Sequence, residues 1–284
     1  MTDGALVLAG GGVAGIAWEL GVLVGIRDEQ PEAAARILAD STRLIGTSAG
    51  AAVAAQLAGG TSLEALYAAQ LSDQHSEIFV ELNLAEFGAM MAITMANATS
   101  PEDRRRRFGA IAINADTPPI EDRRRSIDGR LPVKTWGDRD LRLTTIDAES
   151  GELLVMDRNS GIDLVDAVMA SCAIPGIWPV VEINGHKYMD GGMRSIANAD
   201  LAAGSDPVLL LVPSLPASPL GETIPADELL ALAPAKVDIV YADDASIAAF
   251  GVNPLDPSIR KAAAEAGRAV GRVAATSVAK SWLL

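Results

Sequence analysis

The chain has 284 residues, 49% of them hydrophobic, and its 23 Lys and Arg against 37 Asp and Glu leave a net charge of −14. At this length roughly 75% of the unfolded chain's surface can be buried, and one cysteine with two histidines is too few for a disulfide scaffold, a structural zinc site or a haem motif. The acidic balance argues against a protein that tracks nucleic-acid backbone, which needs a positive footprint.

In chain order, a short apolar strand, Ala5 to Leu8, runs through Gly10-Gly11-Gly12 into a helix from Val13 to about Asp28. Gly4 to Trp18 carry no charge, but only Asp3 precedes them where a secretory leader carries Lys or Arg, so the stretch reads as mature structure. A helical piece, Glu32 to Leu38, leads to a strand at Arg43 to Gly46, and Ser48-Ala49-Gly50 opens a helix to about Leu57. Two β-turn-α units in succession predict an α/β protein with a mostly parallel sheet and helices on its faces. Leu44 to Leu63 is uncharged but too rich in Gly, Ser and Thr for a membrane-spanning helix. The expected location is therefore cytoplasmic, with export lacking a cleavable leader left open.

Leu63 to Leu131 is more helical and less regular, with a Met-rich stretch at Phe87 to Met95. Met90, Met91 and Met95 fit either core packing or the wall of an acyl site. Two arginine runs follow, Arg104 to Arg107 and Arg123 to Arg125; Pro101 to Arg130 holds eight Arg against six acids, a local +2. Two readings stand, a solvated helical face or a mobile cap over 84–130 that approaches anionic lipid.

Leu141 to Ile146 and Glu152 to Met156 read as a hairpin around Glu149-Ser150-Gly151, followed by a helix at Leu164 to Ser171 and a loop marked by Pro175 and Pro179. A strand near Val180 to Ile183 turns at Asn184-Gly185, returns through Tyr188-Met189 and ends at Asp190-Gly191-Gly192. Val208 to Val212 has the continuous apolar run of a buried parallel strand, stopped by Pro213 and Pro216. A strand at Val237 to Tyr241 and a helix from about Pro257 to Lys280 complete the chain. No internal repeat or linker is visible. The expected organisation is one domain over 1–284, with a motif-bearing core at about 5–212 and the C-terminal strand and helix, 236–284, packed on it.

Gly10-Gly11-Gly12-Val13-Ala14-Gly15 satisfies G-x-G-x-x-G between a strand and a helix. Glycines let the backbone approach a ligand, and N–H groups at the helix start point toward its negative charge, a pyrophosphate or an oxyanion. A dinucleotide-binding module remains an alternative. It needs an acid at the end of the second strand, however, and here that strand ends in Gly46-Thr47-Ser48, while Asp28 and Glu29 lie on or just past the first helix.

Gly46-Thr47-Ser48-Ala49-Gly50 is a G-x-S-x-G sequence at a strand-to-helix junction, where a tight elbow lifts the serine above the sheet edge. A serine hydroxyl needs a base. The usual histidine is poorly supplied: His75 lies in a polar segment, His186 in a turn, and none follows. Asp190 is the remaining candidate, a strand-end carboxylate left unobstructed by Gly191 and Gly192, whose proton affinity burial would raise.

The ordered set Gly10-Gly11-Gly12-x-x-Gly15, Gly46-x-Ser48-x-Gly50 and Asp190-Gly191-Gly192 closely resembles the patatin-like phospholipases. Ala170-Ser171-Cys172-Ala173-Ile174-Pro175 and Tyr188-Met189 look like the segment before that family's aspartate, and the resemblance runs from about Ala5 to Val212. It implies a three-layer α/β fold and a serine lipid acyl hydrolase acting on phospholipids or other lipid esters without metal or cofactor. By the same resemblance Ser48 is the nucleophile, Asp190 the proton acceptor, Gly10, Gly11 and Gly12 the oxyanion hole, and Gly15, Gly46, Gly50, Gly191 and Gly192 its support. The expected partners are a lipid or acyl-ester substrate and, on the cap reading of the arginine runs, a transiently contacted membrane surface; the acidic charge leaves no nucleic-acid partner expected. Many members carry a basic residue within the glycine motif, where this chain has Val13 and Ala14. A catalytically silent lipid-binding relative is the other alternative.

Overall fold

β1 (Ala5–Leu8) sits at the middle of the sheet because both of its faces are covered: Leu6 and Leu8 pack into one core, Ala5 and Val7 into another. The same alternation runs along β2 (Arg43–Gly46), with Leu44 to one side and Ile45 to the other, and along β7 (Val208–Val212), with Leu209 and Leu211 opposed to Val208, Leu210 and Val212. Such strands form parallel sheets buried on both faces. The computed structural model describes residues 4–218 and 221–284, so Asp3 lies outside it.

The first core is filled by helices. α1 (Gly12–Glu29) is buried continuously from Val13 to Ile26, as expected of a helix apolar on all sides. Around it lie α2 (Pro31–Ile37), α3 (Ala49–Ala58) and α4 (Leu63–Leu71). α5 (Leu84–Asn97) and α6 (Pro101–Asn114) cover a separate small core containing Phe108, Ile146 and Met189, and α7 (Ile120–Arg130) returns to the main one through Ile127.

β3 (Leu141–Asp147), β4 (Leu153–Met156), α8 (Leu164–Ser171), β5 (Val181–Ile183) and β6 (His186–Asp190) follow. After β7 come a two-residue ribbon of β8 (Ala217–Ser218) and β9 (Gly221–Glu222), then α9 (Ala226–Leu230), β10 (Val237–Tyr241), α10 (Asp244–Phe250) and α11 (Arg260–Leu283). The main sheet has the order β10-β7-β1-β2-β3-β6-β5, with β4 also on β3. From β10 to β3 it is parallel; β4, β5 and β6 add antiparallel pairings. The predicted mixed α/β class and mostly parallel sheet are therefore present, with helices around the sheet. Two details differ. α10 was not predicted, and the last helix begins at Arg260 because Pro257–Ile259 form a 3-10 turn capped by Asp256.

One register fixes the site. β3 pairs Gly46 at Leu143 and Asp190 at Thr145. These β3 positions are two residues apart, about 7 Å along a strand, so the turn after β2 and the end of β6 open at the same place.

Candidate active site

Three chain reversals meet at the carboxyl ends of β1 and β2, the usual position for ligands in open α/β sheets. The first is the glycine loop. Gly12 has φ +65°, and a Cβ there would stand 2.8 Å from the Pro254 carbonyl oxygen. Ala14 N–H donates to that same carbonyl at 2.9 Å, which fixes the helix start against the C-terminal segment. Gly15 abuts Ala49 and Pro213. Gly10 N–H donates to the Ile196 carbonyl at 2.8 Å. Of the triplet, Gly11 and Gly12 have N–H groups with no hydrogen-bond acceptor among the described residues.

The second reversal carries Ser48, which takes φ +55°, ψ −114°, a strained conformation for a residue with a side chain. Gly50 permits the elbow: a Cβ there would lie 2.0 Å from the Leu8 carbonyl oxygen. A Cβ on Gly46 would stand 2.6 Å from the Gly50 carbonyl oxygen and from Ala51 Cα. The elbow is held from α8, since Ser48 N–H donates to Ser171 Oγ at 3.0 Å and Cys172 Sγ donates to the Ser48 carbonyl at 3.1 Å. α3 begins at Ala49, so its positive dipole end lies under the serine.

The third reversal presents Asp190, only 2% exposed, with Oδ1 accepting from Gly192 N–H at 2.7 Å. Burial pushes its pKa up to about 6, against the opposing pull of a hydrogen bond from the Ser48 side chain, the Gly192 N–H and the Arg123 charge. Gly191 is pressed against Thr144, where a Cβ would meet the carbonyl oxygen at 2.7 Å.

A buried amide links the second and third reversals. Asn198 Nδ2 donates to Ser195 O at 2.8 Å and to Thr47 Oγ1 at 3.1 Å, with longer approaches to Gly191 O and Thr144 Oγ1. Thr47 and Thr144 hydroxyls are themselves 2.8 Å apart. Asn198 was not among the predicted residues.

Ser48 and Asp190 open into a cleft of about 490 Å³, walled by Gly10, Gly11 and Gly12 and by apolar side chains including Leu82, Phe87, Ile177 and Ile196. Met91 reaches this wall, while Met90 and Met95 pack on the small core beneath α5 and α6. Both histidines are exposed and neither lines the cleft; His186 Nδ1 lies 3.0 Å from Asp147 Oδ2. Asp28, the acid nearest to a dinucleotide role, is engaged by Arg268 and Arg272. Among the described residues no group of three or more His, Cys, Asp or Glu is placed to hold a metal ion.

The arginine runs divide. Arg106 and Arg107 pair with Glu102 and Asp103 one turn away, and Arg124 and Arg125 with Asp166 and Asp122, as a solvated face requires. Arg123 and Arg130 instead point inward, seven residues apart on one face of α7 with buried Ile127 between them. That spacing was readable in the sequence, but the run of like charges masked it.

Residues 6–203 match the family model described as patatin-like phospholipase. No curated protein matches the chain significantly. Among solved structures, it is similar to VipD from Legionella pneumophila at 13% identity and TM-score 0.46, covering 97% of this chain and 67% of that one. It is also similar to the type III effector protein ExoU at 17% identity and TM-score 0.41, covering 98% of this chain and 53% of that one.

Proposed function

The chain belongs to the patatin-like phospholipase family, and from that premise we propose that it is a serine lipid acyl hydrolase working through a Ser48–Asp190 dyad. The observation that carries this reading is the pairing of a strained, cleft-facing Ser48 with a buried Asp190 whose pKa stands near 6, beneath an apolar cleft that neither histidine lines. A carboxylate of that proton affinity is ionised at neutral pH yet more basic than an exposed one, the compromise a general base needs.

In the proposed reaction Asp190 accepts the Ser48 hydroxyl proton as the oxygen attacks a carboxylic ester carbonyl. The tetrahedral oxyanion lies against the Gly11 and Gly12 N–H groups. Its collapse expels the alcohol, which takes the proton from Asp190, and leaves an acyl-Ser48 ester. Water, deprotonated by Asp190, then adds to that ester; collapse breaks the acyl–Oγ bond, the proton passes from Asp190 back to Ser48 Oγ, and the fatty acid is released. The apolar wall of the cleft suits the acyl chain of a phospholipid or related lipid.

The test is labelling by a fluorophosphonate, with Ser48→Ala as control, beside hydrolysis of a short-chain ester and of phospholipid. Wild type is expected to be labelled and to turn over; Ser48→Ala is expected to show neither, while Asp190→Asn falls by at least about 10³ in kcat. Acyl-chain binding without labelling or turnover would establish a silent lipid-binding relative, and full activity in folded Ser48→Ala would overturn the dyad.

A further inference from the structure

Behind Ser48, on the side away from the cleft, lies a second cavity of about 10 Å³, lined by Gly12, Val13, Ser48, Ala49, Arg123 and Arg130 among others. Gly12, Ser48, Ile174 and Leu255 line both spaces and so form the wall between them. Arg123 comes to this place from α7 and is 3% exposed. Its guanidinium carbon lies 3.8 Å from the centroid of the Trp178 ring, and Nη2 donates to the Cys172 carbonyl, at the end of α8, at 3.3 Å. Nε and Nη1 are buried with no hydrogen-bond partner among the described residues.

Among the described residues no carboxylate forms an ion pair with Arg123, although the charges of Glu77 and Asp190 act on it. Glu77 faces it from the segment between α4 and α5, but its two oxygens accept from Arg130 Nε and Nη2 at 2.7 and 2.6 Å and from Ser126 Oγ at 3.2 Å. The other titratable groups acting on it are Arg130 of the same helix, Cys172 after α8 and Asp190 at the end of β6. Burial pushes the Cys172 thiol up to about 11, which keeps it neutral. Burial, helped by Arg130, lowers Arg123 to about 9, so it remains a cation at neutral pH. An under-paired buried guanidinium is costly to maintain, and its capping bond to Cys172 uses only one of its five N–H donors.

We propose that Arg123 is a positioning residue of the hydrolysis, a fixed cation whose field draws negative charge from Asp190 toward the glycine loop in the transition state. During acylation the charge of Asp190 is neutralised by the Ser48 proton and reappears on the oxyanion at Gly11 and Gly12. Arg123 lines a cavity with Ser48 and with Gly12, whose N–H faces the proposed oxyanion, and its charge also acts on Asp190. An interaction stronger in the transition state than in the ground state accelerates the reaction. The cavity holds no more than about one water, so no headgroup reaches the guanidinium, and its influence passes through the wall. The glycine motif itself has no cation, with Val13 and Ala14 in place; Arg123 supplies one from another helix.

This inference rests on the dyad reading, and the experiment separates the two. The rate of fluorophosphonate labelling of Ser48 is measured against pH for wild type, Arg123→Met, Arg123→Lys and Arg123→Gln, with the melting temperature of each. Arg123→Met is expected to be labelled about tenfold more slowly at its plateau, with the acid midpoint moved up by about half a pH unit or more, because a cation favouring ionised Asp190 is gone. Arg123→Lys is expected to keep the wild-type midpoint. Arg123→Gln retains a donor for the Cys172 carbonyl but no charge; it is expected to behave like Arg123→Met and replaces that variant if methionine prevents folding. Folded neutral variants with wild-type rate and midpoint would overturn the proposal, as would equal loss in Lys and Gln variants tracking a fall in melting temperature. A wild type not labelled at Ser48 would overturn the dyad reading, and this proposal with it.

Discussion

Asp190 occupies surroundings that work against its own ionisation, and the consequence is visible in stability as well as rate. An unfolded carboxylate titrates near about 3.9, whereas burial holds Asp190 at about 6. The folded protein therefore binds this proton more tightly than the unfolded chain. Its contribution to stability is greatest below about pH 4, falls as pH rises toward 6, and leaves a deficit of about 2–3 kcal/mol above that. Asp190→Asn should accordingly raise the melting temperature at pH 8 while abolishing turnover, and the gain should shrink toward zero at pH 4. Equal gains at both pH values would show that the charge is not the cause. If Asp190 is the base as proposed, the same ionisation should make wild-type kcat/KM climb through about pH 6. Ser48, Asp190 and their glycines were legible in sequence because tight reversals restrict residue choice locally. Asn198 was not: its partners Thr47 and Thr144 are 151 and 54 residues away, and no periodicity marks them. Ser171 and Cys172 stood in a resemblance-bearing stretch, yet their hold on Ser48 depends on where α8 ends in space.

Among the elements, the strands and α1 followed from hydrophobic runs, whereas the tightness of the α1–α11 contact did not. Glycines on both helices allow it: a Cβ on Gly21 or Gly25 would lie 2.2 Å from the carbonyl oxygen of Ala264 or Arg268, and one on Gly267 or Gly271 2.2 Å from that of Trp18 or Val22. These glycines are spaced four apart and read in sequence only as weak helix formers, since a partner helix some 240 residues away gives them their role. Gly267→Ala gains about 1 kcal/mol of helix propensity but forces two backbones apart, so a net loss of about 1–3 kcal/mol is expected in denaturant unfolding. Gly88 on α5 is the control, because a Cβ there meets nothing within 4 Å. Gly88→Ala should stabilise by up to about 1 kcal/mol. Two substitutions of identical chemistry are thus expected to have opposite signs, and matching signs would refute the packing argument.

At the scale of the whole molecule, the net charge of −14 and the fate of the arginine runs decide how the protein meets a lipid surface. Arg106, Arg107, Arg124, Arg125 and Arg130 are neutralised by ion pairs, and Arg123 is internal. Arg104 and Arg105 are half-buried and bond to the backbone carbonyls of Arg194 and Gly151, so six of the eight arginines add little outward positive charge. Near the cleft, exposed Glu81 and Glu86 flank Leu82 and Phe87, and exposed Asp243 and Asp244 precede Ile247. No described helix is long and apolar enough to cross a membrane, and the exposed charges on these cleft-flanking segments are acidic. Repulsion from an anionic bilayer extends about 30 Å at 10 mM salt and about 8 Å at 150 mM. Hydrolysis of anionic vesicles should thus be slow at 10 mM salt and accelerate on going to 150 mM, with little salt dependence on zwitterionic vesicles of the same acyl composition. Salt that slows the reaction on anionic vesicles would mean that the arginines leave their acidic partners and face the lipid, restoring the mobile-cap reading of 84–130.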